Sequence, residues 1–312
     1  MSSKGNVTVV LGAGLGPSLG RKGTESDVTL FNHRHNDVLL SFVAPTSYPE
    51  KIQSLASALN IADQVLLKVD AVDSLLGEMI VAIDAYGLET GYVILGGIPA
   101  EAVEPLFGGT VLSSYPKVEN QVVSIRDALS KLSLHSEGEP VVQVDHCFPV
   151  KGVGTVALGV VKEGVLRKHD SVLIYPKKIE TLVKSIQVHD TDVAEAGCGV
   201  CVGVALKDVK PDQVERGSIL STRSDIPVAD IIESEAALSK YARPGLEEGD
   251  QIMVNSSMNY TPASLVSGSL KPGGTGVLKI KLEKQIPLIS DRILLLDPNR
   301  KNPRIIGYVK LE

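Results

Sequence analysis

The hydrophobic periodicity changes once along the chain, near residue 140, and no other feature constrains the fold as strongly. Before that point, short apolar runs alternate with stretches whose apolar residues recur every three or four positions. NVTVVL (6–11), VLLSFVAP (38–45), QVLLKVD (64–70) and GYVILGG (91–97) are continuous apolar runs bounded by turn residues, the pattern of strands buried on both faces. Residues 50–59, with Ile52, Leu55, Ala56 and Leu59 in register, and residues 75–86, stopped by Gly87, have helical spacing. A further helix is predicted over 124–134. Strand and helix in alternation predict a mainly parallel sheet covered on both sides.

After the turn-rich HSEGEP (135–140), short strands follow one another at roughly ten-residue spacing, which is the pattern of an all-β sandwich or barrel. A second break at STRSDIP (221–227) separates this stretch from another β-rich segment, 229–312. The expected architecture is α/β plus all-β: a parallel-sheet domain over 1–137 and two β-barrels over 138–223 and 224–312. The 29 glycines and 17 prolines suit the many turns such barrels need.

Composition narrows the function classes. A net charge of −6 disfavours bulk electrostatic attachment to nucleic acid, leaving room only for a local basic patch. Aromatics at 4%, with no tryptophan, argue against a binding face built on stacked rings. Three cysteines make no disulfide framework, and the N-terminal MSSKGNVTVVLGAG does not read as a signal peptide, so a cytoplasmic location is expected. Neither a membrane nor DNA is an expected partner.

The middle segment carries Gly152-Val153-Gly154-Thr155-Val156, then Gly159-Val160-Val161-Lys162-Glu163-Gly164, then Glu215-Arg216-Gly217. In order and spacing these resemble domain II of the elongation factor Tu/elongation factor 1-alpha superfamily. The end of the chain, SDRILLLDPNRKNPRIIGYVKLE, is similar to the closing strands of domain III. With SLGRKGTESDVTLFNH (18–33) and IQVHDTDV (186–193), the likeness extends over nearly the whole chain. It is closest to the selenocysteine-factor-like proteins of methanogenic archaea, in particular the factor proposed to handle pyrrolysyl-tRNA. The resemblance implies a GTPase-like first domain, but one whose motifs are degenerate. A phosphate loop needs G-x-x-x-x-G-K-[ST], whose lysine neutralises phosphate and whose hydroxyl binds Mg²⁺. The loop after the first strand keeps Gly12, Gly14, Gly16 and Ser18 but lacks the lysine, and Lys22 comes too late. The family's D-x-x-G falls at Ala44-Pro45-Thr46-Ser47, its catalytic histidine at Tyr48, and its guanine-reading N-K-x-D at Gly96-Gly97-Ile98-Pro99. No catalytic residue and no nucleotide cofactor are therefore expected.

The family's aminoacyl pocket corresponds to Asp145 and His146 on one strand and Cys201 on another. A tRNA-facing surface corresponds to the basic end of the third segment, Arg292, Arg300, Lys301 and Arg304. Cys198 and Cys201 form a C-x-x-C near His146, Cys147 and His189, but the reading as small buried cysteines is preferred to zinc, and no metal is expected. His33-Arg34-His35 is read as a solvated turn after a strand, and Lys177-Lys178 as a solvated hairpin tip. GAGLG after a strand invites a dinucleotide reading, but Pro17 stands where the third glycine of G-x-G-x-x-G belongs. The leading expectation is a translation elongation factor-like protein that binds tRNA or the ribosome, with a protein partner as a further candidate, without hydrolysing GTP. The alternatives are a working GTP-binding factor with an aberrant nucleotide site and a dinucleotide-using α/β enzyme.

Overall fold

The computed structural model describes residues 4–134 and 137–311. Met1–Ser3, where the leader reading begins, and His135 and Ser136, which open the turn between the first two segments, lie outside the described residues.

Domain I comprises β1 (Lys4–Leu11), α1 (Leu15–Leu19), β2 (Arg21–Glu25), β3 (Thr29–His35), β4 (Val38–Ala44), α2 (Ile52–Ile61), β5 (Gln64–Val69), α3 (Ser74–Tyr86), β6 (Gly91–Leu95), α4 (Ala100–Phe107) and α5 (Val122–Leu129). The sheet order is β2-β3-β4-β1-β5-β6. Strands β4, β1, β5 and β6 are mutually parallel, while β2 and β3 add an antiparallel edge. The side-chain alternation of β1 divides its apolar residues between two layers. Val7, Val9 and Leu11 face α2 and α3, and Val10 joins Leu15, Leu19, Ile125 and Leu129 from α1 and α5. Both faces are thus covered, as the continuous apolar strands predict. His33-Arg34-His35, read from sequence as a solvated turn, instead forms the end of β3, paired residue for residue with β4. Its backbone is held by the ladder, so polar side chains cost the strand little at this edge.

Domain II comprises β7 (Val141–Val150), β8 (Gly154–Glu163), β9 (Val165–Arg167), β10 (Ser171–Tyr175), β11 (Ile179–Val188), β12 (Thr191–Val193), β13 (Glu195–Gly197), β14 (Cys201–Leu206) and β15 (Ile219–Ser221). The order β10-β15-β7-β8-β14-β11 closes on itself through β10–β11, with β12 appended and β9–β13 forming a separate ribbon. Domain III comprises β16 (Val228–Leu238), β17 (Gln251–Ser256), β18 (Asn259–Ser267), β19 (Thr275–Pro287), β20 (Arg292–Leu296) and β21 (Ile305–Lys310), and closes in the order β16-β19-β18-β17-β20-β21. Closure leaves neither barrel an unpaired edge. None of the described helices is long and apolar enough to cross a membrane.

The three domains share a core. Leu55, Leu59 and Ile83 of domain I pack in one buried cluster with Met258, Leu294, Leu296 and Ile305 of domain III and Val160 of domain II, each 3% exposed or less.

Candidate functional site

The crevice at the carboxyl ends of β1 and β5 is where an open parallel sheet of this order places a ligand. The backbone leaves β1 through Gly12 and Gly14, the latter at φ 76°, into α1, which has only five residues. Gly16 lies against the Phe31 ring, so close that a Cβ there would stand 2.5 Å from a ring carbon. The Ser18 hydroxyl donates to the Leu15 carbonyl at 2.7 Å, within its own helix. Arg126 donates to the Leu19 carbonyl at 2.9 Å, closing the helix C-terminus. The turn after β4 and the start of α2 are stapled to the β2–β3 connection: Ser47 N and Ser54 Oγ both donate to the Asp27 carbonyl. Tyr48 lies under the Arg304 guanidinium at 5.8 Å, and burial with the neighbouring Glu78 raises its hydroxyl well above the usual phenol range. Asp70, at the end of β5, is paired with Lys68 at 2.9 Å. No residue of this loop, nor of the turn at Ala44–Ser47, supplies the lysine or carboxylate that a nucleotide–magnesium complex requires.

At the seam of domains I and II, a bulge in β7 between Val144 and His146 accompanies the burial of Asp145. Its carboxylate pairs with His146 Nδ1 at 3.0 Å and with Arg216 Nε at 3.2 Å, while Arg216 Nη2 reaches Asp27 of domain I at 2.8 Å. The arginine of the E-R-G motif is therefore spent joining two carboxylates from different domains. The hydrogen bond to Asp145 holds the His146 imidazole above its ordinary range. Cys201, opposite Val160 on β8, packs toward domain I with Ser41 beside it; burial pushes its thiol up to about 11. The structure thus sets His146 against Asp145 and places Cys201 at the same seam. Cys198 does not continue the same strand, since β13 ends at Gly197 and β14 begins at Cys201; its thiol donates to the Lys162 carbonyl at 2.8 Å. Among the described residues no group of three or more His, Cys, Asp or Glu is placed to hold a metal ion.

The basic end of domain III is largely committed to internal contacts. Arg292 donates to the Asp84 and Ala85 carbonyls at the end of α3 and stacks over Tyr308 at 4.2 Å. Arg300 is held by Asp297 at 2.8 Å and by the Pro244 carbonyl at 2.7 Å. Arg304 grips Glu78, and Lys301 is exposed. A second cationic surface has no signature in the sequence. On domain II, Lys151, Lys184 and Lys210, with Asp208 beside them, line a cleft of about 710 Å³ with an apolar floor of Pro149, Val150, Leu206 and Val209, and Lys184 Nζ also donates to the Val153 carbonyl at 2.6 Å. Phe148 and Val153, near the tip of the same β7–β8 hairpin, are exposed. The three lysines are far apart in sequence, although Lys151 adjoins the G-V-G-T turn and Lys210 precedes the E-R-G. By contrast Lys177, read as a solvated tip, is paired with Glu215 at 2.7 Å.

Comparison with known proteins agrees with this arrangement. The elongation factor Tu domain 2 family matches residues 154–221. The chain is 32% identical over 302 residues to the uncharacterized protein MJ0325 of Methanocaldococcus jannaschii, covering 96% of each. It is 24% identical over 300 residues to the selenocysteine-specific elongation factor of the same organism, spanning 88% of this chain but 62% of that factor's length. The apo structure of translation elongation factor SelB from Methanococcus maripaludis matches the whole chain and 80% of its own with a TM-score of 0.78 at 20% identity, a likeness of fold. Two closed barrels behind a parallel-sheet domain, the matched domain 2 and the full-length relative together place the chain: it belongs to the family of MJ0325, homologous to the selenocysteine-specific elongation factors within the elongation factor Tu superfamily.

Proposed function

We propose that this protein is a translation factor-like RNA-binding protein of the cytoplasm that docks tRNA or the ribosome through its barrels and neither requires nor hydrolyses GTP. The chief support is one contrast. The loop after β1 has no lysine and folds its Ser18 hydroxyl back on Leu15, whereas domain II keeps a complete barrel with three lysines around an open cleft. An apolar floor with three lysines against one aspartate at the rim, a net positive surface, suits a phosphate backbone whose sugars or bases rest on the floor. The homologues named as elongation factors support translation as the setting. Lys301 adds an exposed cation on domain III, while Arg292 and Arg304 tie domain III to domain I and Arg300 is taken up within domain III by Asp297 and the Pro244 carbonyl. Of the aminoacyl-pocket candidates, His146 faces outward with its side chain 42% exposed, and Asp145 orients it.

Filter binding of the protein to tRNA and to ribosomal subunits, with phosphate release followed in parallel, tests the reading. The expected result is salt-sensitive RNA binding with no phosphate release above background. Ribosome-stimulated GTP hydrolysis would instead favour a working GTPase, and absence of binding to any RNA would favour a protein partner.

A further inference from the structure

The hairpin tip joining β17 and β18, Asn255-Ser256-Ser257-Met258-Asn259, is polar in composition, yet it is buried to the last residue. Asn255, Ser256 and Ser257 are 0% exposed, Met258 1% and Asn259 5%. Ser257 and Met258 both adopt left-handed backbone, at φ 48° and 65°, the conformation of a tight hairpin turn usually given to Asn-Gly. A side chain as large as methionine tolerates that conformation only where the surroundings hold it. Here they do, from all three domains. The Ser257 N–H donates to Asn60 Oδ1 of α2 at 3.1 Å, and the Asn60 amide donates in turn to Asn255. Asn259 Nδ2 donates to the Gly217 carbonyl of domain II at 2.9 Å. Gly217 permits this approach, for a Cβ there would stand 2.4 Å from the Asn259 amide nitrogen. Met258 enters the core shared with α2 and α3.

We infer that this hairpin tip is a keystone that fixes the three domains in one arrangement, so that the molecule is a single rigid body without a domain-opening step. The seams that domain I makes with the two barrels have polar ties of their own, each at least partly buried. Lys162 of domain II reaches Asp63 at 2.6 Å beside the end of α2. Arg304 grips Glu78 of α3, and Arg292 closes the carboxyl end of the same helix. Swinging domain I away from the barrels would strip the partners from all of these partly buried groups at once. Domain I then serves as a structural lobe rather than a moving part, whatever the protein binds.

The Ser257 amide is a direct probe, because its hydrogen bond crosses the domain seam and exchange requires the tip to undock. Hydrogen exchange on the full chain should show Ser257 protected as strongly as Val9 and Val10 in the middle of β1, both exchanging only with global unfolding. Protection at Ser257 ten or more times weaker than at those β1 amides would mean that the tip undocks on its own and would overturn the keystone. A Met258→Ala variant should lower Ser257 protection at least tenfold and split thermal unfolding into two transitions. Unchanged protection in that variant would overturn the proposal, and should the variant not fold, the exchange of the parent protein decides alone.

Discussion

Arg304 of domain III holds Glu78 of domain I through both carboxylate oxygens, Nε to Oε1 at 3.0 Å and Nη2 to Oε2 at 2.6 Å, and the Glu78 side chain is wholly shielded from solvent. The Arg304 backbone N–H adds a third bond to Oε1 at 2.8 Å. A carboxylate buried to this degree persists only because the guanidinium neutralises it. Arg304→Ala should therefore destabilise the protein by about 3–5 kcal/mol, since it leaves an uncompensated buried charge. Glu78→Gln in the same background should recover part of that stability, and urea denaturation of the single and double variants measures both.

The cleft on domain II yields a second expectation. Replacing Lys151, Lys184 and Lys210 together by alanine should weaken tRNA or ribosome binding and flatten the salt dependence by roughly one in slope for each phosphate no longer neutralised. Replacing Arg300 should change stability and leave the salt slope alone, because its guanidinium is taken up by Asp297 and the Pro244 carbonyl. Titrations at several salt concentrations separate the two effects.

Stability should depend on pH through histidines that pull in opposite directions. The Asp145 hydrogen bond raises His146 above the ordinary 6.5, so its contribution is complete below 6.5 and is lost as pH rises through the raised value. Burial lowers His33 and His189 below 6.5, so their contribution is present above 6.5 and is lost as pH falls through the lowered values. His146→Gln should consequently cost stability near about pH 5.5 and almost none near about pH 9. The cost should stay below about 1 kcal/mol, because solvent screens an ion pair as exposed as this one. Urea midpoints at the two pH values check the sign.

The three thiols should be slow to react in the folded protein. Burial pushes Cys147, Cys198 and Cys201 each up to about 11. Against the ordinary thiol value of 9.0, that shift leaves about a hundredfold less thiolate at neutral pH. Iodoacetamide labelling should be slower by at least that factor than in urea, and added zinc should neither protect the thiols further nor raise the melting temperature.

Much of the architecture was legible because burial leaves a periodic trace. The apolar runs of β1, β4, β5 and β6 and the three-and-four spacing of α2 appear in the sequence as they do in the sheet and its cover. The turn from strand–helix alternation to short strands appears too. What was hidden is polar and long-range. The polar end of β3 looked like a turn because His33, Arg34 and His35 lack an apolar alternation, and only pairing with β4 makes them a strand. Arg304 looked like a phosphate ligand because its partner, Glu78, is 226 residues away and has no local signature. The turn between β13 and β14 that separates the two cysteines of the C-x-x-C is marked locally only by Gly199. The buried tip Asn255–Asn259 has the composition of a solvated loop, and the three cleft lysines converge only once the β7–β8 hairpin meets β11 and the segment after β14.

RNA binding independent of any nucleotide is tested most directly by the affinity for tRNA and for ribosomal subunits with and without saturating Mg·GTP. A bound nucleotide present at a hundred times its dissociation constant would also add about 2.7 kcal/mol of stability, so melting curves are recorded on the same samples. Equal dissociation constants in both conditions, with no change in melting temperature, are the expected result. A GTP-dependent rise in affinity, accompanied by stabilisation, would contradict it.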